Sequence, residues 1–313
     1  MIEIVAQSES MREAVSLAER VAPTDANVLI TGESGAGKDA LAAFIHLFSQ
    51  RGTRACVKID CAALSSELLE AELFGYERGA FTGASETKPG RLEAAHKSTL
   101  ILDEIAYLPS DAQAKLLRVI ETREFERLGG RRTIKVDARL IALTNVDLAQ
   151  AVRRRDFRED LFYRLNVVHI QVPPLRQRKE DLPALVQHFL TTFARKHGRS
   201  AAGIAPDSLA VLREYEFPGN VRELANTIER AVIVATGRQV EESDLPGAVR
   251  ASVKLQRRRE QPRTLAQLEA EYVTEILIAT KGNKTEAARI LGISRKNLYE
   301  RIARLGERMK DEG

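Results

Sequence analysis

Short apolar runs alternating with longer polar stretches of helical period set the pattern of the first 172 residues. Runs at 27–31, 55–60, 99–104, 139–143 and 167–171 are too short for helices and are built on Val, Ile and Leu, so they read as strands. Between them, Ser10 with Glu13 forms a capping box that opens a helix to about Val21, and Pro23-Thr24-Asp25 breaks it. Residues 66–78 and 109–121 read as helices, and 125–136 around Gly129-Gly130 as a hairpin. Strands alternating with helices predict a parallel sheet with helices on both faces, an α/β fold.

Beyond Pro173-Pro174 the pattern is helical, at 180–197, 207–215 and 219–236. The stretch 247–263 has no amphipathic period and a basic bias, which reads as a linker. Thr264 with Gln267 then opens a helix carrying Leu265, Leu268, Tyr272 and Ile276 on one face. Asn283 caps a short helix, Gly292 makes a turn and Ser294 caps a last helix to about Leu305, a helix-turn-helix. The expected divisions are an α/β part over 1–172, a helical part over 173–246, a linker over 247–262 and a small all-α DNA-reading part over 263–313.

Charge changes this picture at one end. Residues 250–313 hold 15 Lys and Arg against 9 Asp and Glu, a net +6 in a chain whose total is +4. A basic tail on a near-neutral body suggests a polyanion partner, or simply a solvated helical surface. The 44% hydrophobic against 29% charged content fits a soluble chain, and no apolar run reaches the roughly 18–20 residues of a membrane span. A cytoplasmic protein without membrane association is expected. The only cysteines, Cys56 and Cys61, and five scattered histidines match neither a disulfide framework nor a zinc spacing.

The chemistry centres on Gly32-Glu33-Ser34-Gly35-Ala36-Gly37-Lys38-Asp39, between the first strand and a helix. Glycines let backbone N–H groups converge on a phosphate, the helix N-terminus favours the anion, and Lys38 can reach the β and γ phosphates of ATP. Asp39 stands where the general pattern has Ser or Thr. Asp103 and Glu104 end the third strand, on the side where parallel sheets bind ligands. Asp103 suits Mg²⁺ and Glu104 can deprotonate water, unless both are only a solvated strand end. Thr144-Asn145 either senses the γ-phosphate or caps the next helix. Arg158 and Arg164 either make structural ion pairs or stabilise transition-state charge in a neighbouring subunit. On the last helix Arg295, Lys296, Asn297, Arg301 and Arg304 can contact phosphates or base edges, unless the unit is a small helical dimerisation module with a basic solvated face. Taken alone, Gly79-Ala80-Phe81-Thr82-Gly83-Ala84 reads either as a projecting loop or as a glycine turn with Phe81 in the core.

Together these stretches resemble the bacterial enhancer-binding proteins, the AAA+ activators of sigma-54 RNA polymerase. The most specific match is the run 79–84, flanked by Glu72-Leu73-Phe74-Gly75. The resemblance implies an AAA+ P-loop ATPase with a helical lid and a Fis-type helix-turn-helix, acting as a ring, a hexamer, on the polymerase from enhancer DNA. It implies that Gly79, Ala80, Phe81, Thr82, Gly83 and Ala84 touch sigma-54. It makes Asp103 and Glu104 the Mg²⁺ and water-activating pair, Asn145 a first sensor and Arg158 and Arg164 arginine fingers. Arg222, in Phe217-Pro218-Gly219-Asn220-Val221-Arg222, becomes a second sensor, and Asn283-Lys284-Thr285 opens the DNA-binding part.

Asp60 departs from that family's usual Asn before Cys61-Ala62-Ala63. A carboxylate there repels Glu104 where an amide would donate to it. The sequence opens on the ATPase domain, so control is expected from a separate regulatory protein or from a sensor outside this sequence. Two rivals remain: a DNA-binding regulator whose ATPase domain only scaffolds assembly, and a ring ATPase acting on DNA itself.

Overall fold

The computed structural model describes residues 4–199, 203–260 and 265–302, in two compact units, Met1–Val249 and Arg250–Gly313. The first unit begins with α1 (Glu9–Val21), β1 (Val28–Thr31), α2 (Lys38–Leu47), β2 (Val57–Asp60) and α3 (Ser66–Phe74). An antiparallel pair, β3 (Gly75–Tyr76) and β4 (Lys88–Pro89), brackets the Phe81 loop, and α4 (Arg91–Ala94) leads to β5 (Thr99–Asp103). Next come α5 (Ser110–Thr122), the hairpin of β6 (Glu124–Glu126) and β7 (Thr133–Lys135), then β8 (Arg139–Thr144), α6 (Leu148–Arg153), α7 (Glu159–Leu165) and β9 (Val168–Gln171).

Five strands form a parallel sheet in the order β2-β5-β8-β1-β9. Strand alternation divides its apolar side chains between two cores. Leu29, Leu100, Leu102 and Leu140 pack with Leu73, Leu116 and Leu161 of α3, α5 and α7. Val28, Ile30, Ile101 and Ile141 pack with Ala18 of α1 and Leu41 and Ile45 of α2. Helices therefore cover both faces, as the pattern predicts.

The helix expected over 66–78 stops at Phe74. Gly75 turns there with φ 75°, and a Cβ on it would lie 2.6 Å from the Lys88 carbonyl oxygen. The cap of α1 is Ser8, two residues ahead of the predicted Ser10. Its hydroxyl accepts from Met11 N and donates to the fully buried Asp181, which also accepts from the amides of Gln7 and Ser8 at 2.6 and 2.7 Å. A partner 173 residues away chooses the cap. At the other end of α1, Arg139 is buried to 1% exposure and donates to the carbonyls of Val21, Ala22 and Ala26. Its charge is met by the negative end of the helix dipole.

The helical part follows with α8 (Leu182–His197), β10 (Gly203–Ile204), α9 (Pro206–Glu214), α10 (Asn220–Val234) and β11 (Gln239–Val240), which pairs with β10. Helix α8 packs against α10. The stretch read as a linker is instead helical over α11 (Gly247–Glu260). Val249 and Val253, four apart, are its buried pair. Basic side chains are good helix formers, and two valines are too few to register as a period.

The second unit contains α12 (Leu265–Ala279), α13 (Lys284–Ile290) and a helix over 295–302. Val273, Ala287, Ala288 and Leu298 are its buried core, joined by Ile276, Leu277 and Ile302. Leu268 and Tyr272, expected on the inner face of α12, are exposed. Apolar residues outnumber polar ones on this helix and spread over a wide arc, so its period points only weakly to one face.

Candidate functional site

The P-loop leaves β1 between β8 and β9. Gly37 caps α2 with φ 108°, a backbone that L side chains rarely adopt. Gly35 lies so close to the helical part that a Cβ would meet the Gly219 carbonyl oxygen at 2.4 Å. Lys38 is buried, and its ammonium donates to the carbonyls of Gly32 and Glu33 at 2.8 and 3.2 Å. Burial lowers its pKa, while Glu104, Asp103 and Asp39 work against that shift.

Register brings Asp60 of β2 beside Asp103 of β5. Asp103 Oδ1 accepts from Glu104 N at 3.0 Å, and Glu104 takes a left-handed φ of 51° just beyond the strand. Such a conformation is costly for a non-glycine residue and is found at functional sites. Glu104 Oε2 accepts from Asn145 N at 3.4 Å, across from β8. The helix after β8 is capped by Asp147, not Asn145, so the capping alternative for Asn145 is set aside. Asp60 Oδ1 is engaged locally by Ala62 N at 2.9 Å.

The helical part closes one side of the P-loop. Arg222 Nη1 donates to Ser34 Oγ at 3.0 Å and its amide to Gly35 O. Asn220, buried with φ 53°, donates to Glu33 and to Ser34 O and accepts from Leu175 N. Arg176 forks onto Glu33. Arg178, also buried, donates to Ala36 O. Sequence reasoning gave no role to Asn220, Arg176, Arg178 or Lys58, whose ammonium bridges Asp39 and Asp103. For Lys58 one signal existed: a charge in a strand, two residues before Asp60 and on the same face.

The donor set fits a magnesium nucleotide. An ammonium and a guanidinium flank the glycine loop, and Asp39 and Asp103 offer the hard oxygens that Mg²⁺ prefers. Arg158 and Arg164 are not brought to this set. Arg158 pairs with Asp160 at 2.8 Å and Arg164 with Glu121 at 3.1 Å, and both are exposed.

The run 79–84 is a projecting loop, and the buried-Phe81 alternative fails. Gly79 N donates to Ala84 O and Ala84 N to Phe81 O, with Gly79 and Gly83 at φ 83° and 107°. Ala84 is buried, Thr82 is exposed and Phe81 is 42% exposed, its ring edge-on to Tyr76 at 5.0 Å. Arg127 braces the base, with bonds to both Glu93 oxygens at 2.8 and 2.7 Å and to Glu77 at 3.1 Å.

In the second unit Asn283 accepts from the amides of Thr285 and Glu286, and Ser294 from Asn297 N, so both predicted caps form. Lys284, Thr285, Ser294, Arg295, Lys296 and Asn297 are exposed. Arg301 is paired with Glu269 of α12, and Lys284 lies over the Tyr299 ring at 4.8 Å. Arg304 lies outside the described residues.

A P-loop sheet with a helical part closed on it, a projecting loop bracketed by its own β-pair and a separate helix-turn-helix define a class. The Sigma-54 interaction domain matches residues 4–171, the AAA+ ATPase lid domain 176–262 and the Fis family of bacterial regulatory proteins 264–305. The chain belongs to the sigma-54-dependent activators, with an AAA+ P-loop NTPase domain and a Fis-type DNA-binding domain. It is 46% identical over 301 residues to the transcriptional regulatory protein ZraR of Salmonella typhimurium, covering 96% of this chain and 68% of that protein. It is 44% identical over 311 residues to the regulatory protein AtoC of Escherichia coli, covering 97% and 68%. NtrX from Brucella abortus, solved in complex with ATP, aligns at a TM-score of 0.75 and 36% identity over 97% of this chain and 70% of that one. Among the described residues, no helix is long and apolar enough to cross a membrane.

Proposed function

We propose that this protein hydrolyses ATP to remodel sigma-54 RNA polymerase from the closed to the open promoter complex, acting in the cytoplasm as a homo-oligomeric ring, a hexamer, bound to enhancer DNA. The observation that carries this reading is the braced loop 79–84, which presents Phe81 and Thr82 to solvent on the same unit as the P-loop. ATP with Mg²⁺ supplies the bond whose hydrolysis drives the cycle. Lys38 and Arg222 hold its phosphates, and Asp103 with Asp39 provides oxygens for the cation. Glu104 orients a water and takes its proton, held in place through Asn145 N–H.

In the ring, Arg158 and Arg164 exchange Asp160 and Glu121 for the phosphates of the adjoining subunit. Lys284, Thr285, Ser294, Arg295, Lys296, Asn297 and Arg304 are the DNA contacts. The test is promoter opening by sigma-54 polymerase with this protein and ATP. Thr82→Ala is expected to keep ATP turnover and lose opening, and Glu104→Ala to lose both. Opening that survives Thr82→Ala overturns the reading.

A further inference from the structure

Lys58 is a cation placed among carboxylates rather than among phosphate donors. Its ammonium, half-exposed on β2, lies 2.8 Å from Asp103 Oδ2 and also binds Asp39 in the first turn of α2. The two carboxylates come from different elements, and only this side chain joins them among the described contacts. Asp39, Asp103 and Glu104 all act on Lys38, and Asp60 lies beside Asp103. Asp39, Asp103, Glu104 and Asp60 thus gather carboxylate charge on one side of the phosphate site, and Lys58 is the cation that bonds two of them. A nucleoside triphosphate is itself a polyanion, so uncompensated carboxylates repel it.

We propose that Lys58 is the resident counter-cation of the phosphate site, a positioning residue that neutralises Asp39 and Asp103 and so admits the nucleotide before a divalent cation is bound. The assignment rests on the nucleotide site proposed above. Lys58 acts through the two carboxylates, with no contact of its own to phosphate required. Electrostatic interaction grows in proportion to the ligand's charge, and a divalent cation cancels about half the charge of a triphosphate. Loss of Lys58 therefore harms metal-free binding more than metal-bound binding. Asp103, released from the ammonium, also becomes more available to the cation.

The test is the affinity of the full chain for a ribose-labelled fluorescent ATP analogue, measured in EDTA and in saturating Mg²⁺. Lys58→Met is expected to weaken binding about tenfold in EDTA and no more than about threefold in Mg²⁺, with the difference shrinking as salt is raised. Lys58→Arg keeps the charge and is expected to restore most of the metal-free affinity. Equal losses in the two conditions, or an arginine variant no better than methionine, overturn the assignment while leaving the nucleotide site standing. A wild-type protein that binds the analogue in neither condition overturns the site and the assignment together.

Discussion

Arg176 closes on Glu33 through two hydrogen bonds, Nη2 to Oε1 at 2.5 Å and Nη1 to Oε2 at 2.8 Å, so a P-loop carboxylate is gripped from the entry to the helical part. Arg176, followed by the Asn220 amide, holds the Glu33 carboxyl at about 2 against an ordinary 4.5. A depressed carboxyl stabilises the folded form above its ordinary value and ceases to do so as it protonates. The grip is therefore complete above about pH 4.5 and lost toward about pH 2. Hydrogen exchange of the Ala36 and Arg222 amides, which donate to Glu33 O and Gly35 O, is expected to accelerate relative to its intrinsic rate as pH falls through that window. Arg176→Ala is expected to accelerate it already at pH 7 with little change in global stability, because the pair is solvent-exposed.

Asp181 is fully buried and collects three donors from the segment ahead of α1, with Arg178 alongside at 3.8 Å. Asp181→Ala leaves those three donors without their acceptor and the buried Arg178 without its counter-charge, and is expected to cost about 3–5 kcal/mol. Urea denaturation with an unchanged slope and a lowered midpoint is the expected result. A midpoint within error of wild type contradicts the description of this network.

Arg127 joins Glu93 and Glu77 beneath the projecting loop. Arg127→Ala removes three charge-assisted bonds from the base and none from the P-loop. ATP turnover is expected to stay within about twofold while promoter opening falls about tenfold or more, since the loop's geometry is lost without its chemistry. Equal falls in both activities would instead place Arg127 in the hydrolytic site.

On the helix over 295–302, Arg295 is exposed whereas Arg301 is paired with Glu269. Arg295→Ala is expected to cost about 1–3 kcal/mol of DNA affinity if it reads a base, or to lower the salt slope by about one if it meets a phosphate. Arg301→Ala is expected to act mainly on the thermal stability of the second unit. Titrations at two salt concentrations, with melting curves, separate the two residues.

The candidate sites were largely legible because their parts are local in sequence: a glycine loop after a strand, a strand ending in Asp103-Glu104, the bracketed loop at 79–84. Contacts that depend on the assembled fold were not. Lys58, Arg176 and Asn220 acquire their partners only when β2, β5, α2 and α10 meet, and no periodicity encodes that. Ser8 displaced Ser10 as the cap of α1 because Asp181 reaches it from the far end of the unit. The helix at Gly247–Glu260 was hidden for a different reason, since charged residues of high helix propensity carry it almost without an apolar stripe. Asp60, expected to confront Glu104, is satisfied by its own turn, while Glu104 is met by Asn145.

Strand β8 carries a further consequence. At one end Arg139 is fastened to the last carbonyls of α1, and just past the other end Asn145 holds Glu104. Every residue between is buried, so about 20 Å of strand forms a stiff rod with no soft joint. One buried strand thus spans from the end of α1 to the backbone amide that Glu104 accepts from, a second route beside the packing of α1 on α2. The end of α1 and the Glu104 carboxylate are thereby ends of a single buried span.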